Sequence, residues 1–146
     1  MKRTNLFAVI VCLFASTAIC NAEDMPIPAA QLPAAAKTFV QQNFPGKTIA
    51  YAEKDTEFMK TKYEVSLNDG TQIDFDKAGN WDKVDCHMVA VPAALVPAAI
   101  QQYVNTNFAG TVVVKIDKER HGYDVELSND IELKFNHQGV IIGFDD

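Results

Sequence analysis

Tyr63-Glu64-Val65-Ser66-Leu67-Asn68-Asp69-Gly70-Thr71-Gln72-Ile73-Asp74-Phe75-Asp76 is the stretch that decides the fold. Tyr63, Val65 and Leu67 alternate with Glu64 and Ser66, and Ile73 and Phe75 alternate with Gln72, Asp74 and Asp76. Successive strand residues point to opposite faces, so each run has one apolar and one polar side. Asn68-Asp69-Gly70 between them reads as a hairpin turn, because Asn and Gly tolerate positive φ. A second turn, Lys77-Ala78-Gly79-Asn80, leads to a strand at 81–86, and a further strand is expected near 48–54. The pattern predicts an antiparallel meander with one covered and one solvated face.

The same text is written again downstream. Tyr123-Asp124-Val125-Glu126-Leu127 matches 63–67 at an offset of 60, followed by a Ser128-Asn129-Asp130 turn, Ile131, Leu133 and Phe135, a turn at 136–139 and a strand at 140–145. A strand near 112–118 precedes it. Upstream, Pro28-Ala29-Ala30-Gln31-Leu32-Pro33-Ala34-Ala35 recurs at an offset of 64 as Pro92-Ala93-Ala94-Leu95-Val96-Pro97-Ala98-Ala99, and Asn43-Phe44-Pro45-Gly46 as Asn107-Phe108-Ala109-Gly110. Between these blocks run two amphipathic stripes: Leu32, Ala35, Ala36, Phe39, Val40 and Phe44, then Val96, Ala99, Ile100, Tyr103, Val104 and Phe108. Pro33 and Pro97 suit a first helical turn, and Gly46 and Gly110 suit a helix stop. Each helix is expected to span about 11–14 residues. A period near 60 marks two copies of one unit. The expected fold is α+β: a tandem repeat of helix plus four-stranded antiparallel meander, giving an eight-stranded sheet with two helices on one face. The linker 87–91 is too short for independent domains, so repeats 27–86 and 91–146 are expected to form one domain over 23–146.

Residues 1–22 read as a signal peptide. Lys2 and Arg3 form a basic start, and Leu6–Ile19 is an apolar run too short to span a bilayer. Cleavage after Ala22 competes with cleavage after Ala18. Ile19 stands where a lipoprotein signal wants Gly, Ala or Ser, which argues against lipid attachment at Cys20. The expected location is periplasmic or secreted. Cys12 and Cys20 depart with the signal, leaving Cys86 and no internal disulfide. The remaining chain holds 11 basic against 19 acidic residues, a net charge of −8. That balance argues against nucleic acid and anionic membranes as partners, and no second apolar run is long enough for membrane insertion after cleavage.

The run 63–70, then Ile73-Asp74-Phe75-Asp76-Lys77-Ala78-Gly79-Asn80-Trp81 and Val84-Asp85, resembles the PepSY-like family of exported, β-lactamase-inhibitor-like bacterial proteins. The resemblance covers about residues 27–146 and is closer in the first copy. In the second, Asp130 stands for Gly70, Asn136 for Asp76 and Ile141 for Trp81. The resemblance implies a helix-plus-antiparallel-sheet fold and a role as a non-catalytic binding or inhibitory module.

Two regions are candidate partner-binding sites. Glu64, Asp74, Asp76, Asp124, Glu126 and Glu132 are expected on the sheet face opposite the helices, with Lys62 and Lys134 among them. Such a face can attract a basic segment or hold a divalent cation; it also reads as a solvated surface of cross-strand ion pairs. Tyr51 and Phe58 are the aromatics able to join it. The second candidate is the loop Glu53-Lys54-Asp55-Thr56-Glu57-Phe58-Met59-Lys60, where the first copy is four residues longer. Phe58 and Met59 there are either partner anchors or tuck onto the sheet edge. Adjacent strand residues point apart, so Asp85-Cys86-His87 cannot converge on one ion without partners from elsewhere, and Cys86-His87 also lacks an orienting group for a nucleophile–base pair. Trp81 and Phe75 are expected in core or rim packing. No nucleophile elbow, P-loop, dinucleotide fingerprint or zinc signature is present. The function expected is therefore an exported non-catalytic binding module, an inhibitor or modulator of an envelope or secreted protein such as a hydrolase, with no cofactor and no resident metal; the alternative is a periplasmic small-ligand or Ca²⁺ sensor.

Overall fold

The structure, a computed structural model, describes residues 24–145; the expected signal peptide lies outside them. The order is β1 (Met25–Pro26), α1 (Ala34–Asn43), β2 (Ile49–Glu57), β3 (Lys60–Leu67), β4 (Gln72–Asp76), β5 (Trp81–Asp85), α2 (Ala98–Asn107), β6 (Val113–Glu119), β7 (Gly122–Leu127), β8 (Glu132–Asn136) and β9 (Ile141–Asp145). All nine strands lie side by side in sequence order, each antiparallel to its neighbours. The expected eight-stranded sheet is thus corrected to nine. The extra strand, β1, has two residues, too few to leave any periodicity in the sequence.

One continuous core joins both helices to the sheet. Ala36 and Val40 of α1 and Ile100 and Val104 of α2 belong to the same buried cluster as Val65, Ile73, Phe75, Val84, Ile116, Val125, Leu133 and Phe135. Both helices therefore cover one face. Phe39 meets Phe75 edge-on at 5.5 Å, and Tyr103 meets Phe135 in the same way at 5.4 Å. The repeat extends to the helix ends, where Asn43 Nδ2 donates to the Phe39 carbonyl at 3.0 Å and Asn107 Nδ2 to that of Tyr103 at 2.9 Å. Each helix has 10 residues, slightly shorter than expected. Pro33 and Pro97 sit at the cap position ahead of the first turn, where their carbonyls accept from Lys37 and Gln101 N–H.

The offset change from 64 to 60 has a concrete form. β2 and β3 have nine and eight residues, whereas β6 and β7 have seven and six. The segment expected as a loop at 53–60 is therefore mostly strand, closed by Phe58-Met59 alone. The four extra residues lengthen a hairpin by two rungs.

Candidate functional site

Alternation puts every second strand residue on the face away from the helices, and the pairing register lines these residues into rows. One row crosses eight strands as Glu53, Glu64, Asp74, Lys83, Asp117, Asp124, Lys134 and Gly143. Beside it runs Tyr51, Ser66, Gln72, Asp85, Lys115, Glu126, Glu132 and Asp145. A shorter third row holds Asp55, Lys62 and Asp76.

Glu53, Glu64 and Asp74 are thus three carboxylates in direct cross-strand succession, an arrangement that disfavours the folded sheet. Burial pushes the Glu64 carboxyl above its ordinary value, and its neighbours Asp74 and Glu53 push it further. Burial likewise raises Asp74, against the pull of Lys83 and Lys62, and Asp117, against Lys115 and Lys83. Lys83 is the only base between these two acidic groups in the row.

The six acids expected here share the face but not the same freedom. Glu64 and Asp74 are neighbours. Asp124 accepts from His121 Nε2 at 2.7 Å, and Glu126 lies 3.7 Å from Lys115 Nζ. Glu132 pairs across the sheet with Glu126 and Asp145. Asp76 departs from expectation: its Oδ1 accepts from the Ala78 and Asn80 amides at 2.8 and 2.9 Å, and its Oδ2 from Asn80 Nδ2 at 2.9 Å. Burial works to raise its pKa, but the bonds from Asn80, Ala78 and Gly79 outweigh it and hold it below the ordinary value. Asp76 belongs to the β4–β5 turn. Lys62 pairs with Asp76, and Lys134 Nζ donates to Asp145 at 2.7 Å. Glu53 was expected in the 53–60 loop and Asp85 beside Cys86, not on this face; Lys83, Lys115 and Asp117 were not anticipated, because the β5–β6 pairing that completes their rows has no turn signal to announce its register. Tyr51 does stand on this face, 44% exposed, its hydroxyl donating to Glu53 Oε2 at 2.9 Å.

The β2–β3 hairpin ends in an unusual turn. Phe58 and Met59 have φ of 47° and 66°, the left-handed region that bulky residues avoid. Their side chains are 89% and 99% exposed, so neither tucks onto the sheet edge. A concavity of about 400 Å³ lies between the tip and the β4–β5 turn, with Met59, Lys62, Asp76 and Asp82 in its wall.

Elsewhere, Cys86 is buried, and burial raises its thiol. His87 instead approaches the Gly70 carbonyl through Nε2 at 2.8 Å. Trp81 packs near Phe39 and carries Lys118 Nζ 3.7 Å above its ring. Calcium takes six to eight oxygen ligands, and among the described residues no group of three or more His, Cys, Asp or Glu could hold a metal ion. The strand rows space the carboxylates along a line instead of gathering them.

Among curated proteins no relative matches the chain. Solved structures do. A Bacteroides thetaiotaomicron protein described as a "putative calcium-regulated periplasmic protein" is 41% identical, with a TM-score of 0.80, over 84% of this chain and 97% of its own. A "putative periplasmic protein" of Bacteroides vulgatus is 40% identical, with a TM-score of 0.80, over 85% and 98%. Another from that organism, of unknown function, is 32% identical, with a TM-score of 0.81, over 85% and 100%. The family model described as "Putative beta-lactamase-inhibitor-like, PepSY-like" matches twice, over residues 17–65 and 61–143. Two successive matches are what a duplicated unit produces, and the chain belongs to the PepSY-like family.

Proposed function

We propose that this protein is a periplasmic, non-catalytic binding module that takes a cationic segment of an envelope or secreted protein across its polar sheet face, with Phe58 and Met59 as apolar anchors. The observation that carries the reading is the run Glu53, Glu64, Asp74. Placing like charges opposite one another costs folding stability, and a cationic partner recovers that loss on binding. The strained, exposed tip four rungs along the same hairpin supplies burial that charge alone does not. The family description and the periplasmic neighbours support the compartment and the absence of chemistry. Inhibition or modulation of a hydrolase is one form such binding takes.

Pull-down from an envelope extract tests the reading. A discrete protein should be captured at low salt, and released by high salt or by charge reversal at Glu64, Asp74 and Glu126. Capture indifferent to both would sink it.

A second reading, cation or small-ligand sensing, draws support from the neighbour described as calcium-regulated. Calorimetry against Ca²⁺ and basic metabolites separates the two. Heat at micromolar Ca²⁺ would favour sensing; silence at millimolar concentration would remove it.

A further inference from the structure

We propose that the outer edge of β9 is the contact surface of a symmetric dimer, formed by antiparallel pairing with the β9 of a second copy of this chain. The inference is independent of the polar face and of any partner bound there.

The internal repeat shows what this edge is shaped to accept. β5 closes the first repeat and β9 the second, and they correspond at an offset of 60. Val84 pairs with Ile73 as Phe144 pairs with Leu133, and both strands carry a register shift at the matching place. The outer edge of β5 is occupied: Lys83, Val84 and Asp85 pair with Asp117, Ile116 and Lys115, and Val84 is fully buried. The corresponding Phe144 is 73% exposed, and Ile142 and Val140 are each 55% exposed. Among the described residues no strand lies beyond β9. A position that serves as a seam in one repeat is open in the other, without the lysines or prolines that usually protect an edge.

Head-to-tail growth is blocked at the opposite edge. The strand equivalent to β6 is β2, with Tyr51, Ala52 and Glu53 in place of Lys115, Ile116 and Asp117. That edge is filled by β1: Met25 pairs with Lys54 and Pro26 with Glu53, and the Ile27 N–H donates to the Ala52 carbonyl at 2.9 Å. With those positions covered, a β9 edge that repeats the β5–β6 seam has no matching β2 edge to join, and pairing with a second β9 gives an isologous contact.

β9 is also self-complementary. The Cys86 N–H donates to the Val114 carbonyl at 2.8 Å, so the N–H and C=O of Val84, two residues back, face the same seam. At the equivalent position Phe144 turns its N–H and C=O outward. With Phe144 opposite its symmetry mate, two exposed rings meet on the helix side and main-chain bonds form at the axis. On the polar side Gly143 then lies opposite the mate's Asp145. Lys134, paired with Gly143 and already bonded to its own Asp145 at 2.7 Å, stands within reach of the second carboxylate. No like charges are brought face to face.

Sedimentation of the purified protein from micromolar to millimolar concentration tests this. Monomer should give way to dimer as concentration rises. Phe144→Lys should abolish the dimer with no shift in melting temperature at concentrations where the wild type is monomeric, since the side chain is exposed there, and Phe58→Lys should leave the dimer intact. Phe144→Cys should give a disulfide-linked dimer under mild oxidation, and Met59→Cys should not; the buried Cys86 does not compete. A monomer throughout, or a dimer that survives Phe144→Lys, overturns the proposal, and a dimer lost with Phe58→Lys instead moves the contact to the hairpin tip.

Discussion

Gly79 and Gly139 meet two demands at once, one from the backbone and one from the helix above. Both have positive φ, 89° and 75°. A Cβ on Gly79 would lie 2.8 Å from Pro33 Cβ and 2.9 Å from Ala36 N, and one on Gly139 would lie 2.7 Å from Ala99 Cβ. The β4–β5 and β8–β9 turns are therefore packed against the starts of α1 and α2. Either Gly→Ala change should cost about 1–3 kcal/mol, read as a lowered melting temperature. The carboxyls make a second residue-scale prediction. Glu64, Asp74 and Asp117 have folded-state pKa values above their unfolded ones, so the folded protein binds their protons more readily. Their contribution to stability falls as pH rises from the ordinary carboxylate value through the raised one. Asp69 and Asp76 are held low, and their contribution is lost as pH falls through the lowered values. Asp74→Asn should therefore raise the melting temperature at neutral pH, with a gain below about 1 kcal/mol. The gain should fall away as pH drops towards the ordinary carboxylate range, because wild-type Asp74 takes up its proton above its ordinary value. Asp76 shows why the sequence alone overcounts such a face: alternation places it among the exposed acids, but one residue ends a strand and begins a turn, and the turn takes both oxygens.

At the scale of elements, the β2–β3 hairpin separates stability from recognition. A two-residue turn with both φ positive prefers Asn-Gly, and this protein places Phe58-Met59 there. Replacing the pair with Asn-Gly should stabilise the fold by about 1 kcal/mol, while partner capture falls by an order of magnitude or more. A thermal melt and the pull-down together read both effects; stabilisation with undiminished capture would clear the tip of any role. The same turn marks a limit of sequence reading. Asn68-Asp69-Gly70 announces its hairpin through turn chemistry, whereas Phe58-Met59 has none, so its surroundings read as a loop. β1 escapes for a different reason, since two residues paired with Lys54 and Glu53 carry no pattern. The helices, four-strand units and turns around Gly70 and Gly79 were legible because each depends on spacing within its own segment. The rows through Lys83 and Asp117 depend on pairing between repeats, which local spacing does not encode.

At the scale of the molecule, the β5–β6 seam should make the two repeats unfold as one cooperative body. Val84 and Ile116 face each other across it, both fully buried. Ile116→Ala should cost about 2–5 kcal/mol and lower both repeats together, with far-ultraviolet ellipticity and Trp81 fluorescence changing in one transition. Two separated transitions would mean that the repeats unfold independently. Trp81 suits the measurement because it is the single tryptophan and Lys118 of the second repeat donates to its carbonyl at 3.0 Å.

The strictly sequential strand order has a mechanical consequence. β1 and β9 lie at opposite edges of the sheet, eight strand spacings of about 4.8 Å apart. Tension applied between β1 and β9 therefore runs across the strands and loads the rows of hydrogen bonds one after another, like a zipper. A protein built this way should yield by peeling at low force, strand by strand from an edge, while resisting much larger forces applied along the strands.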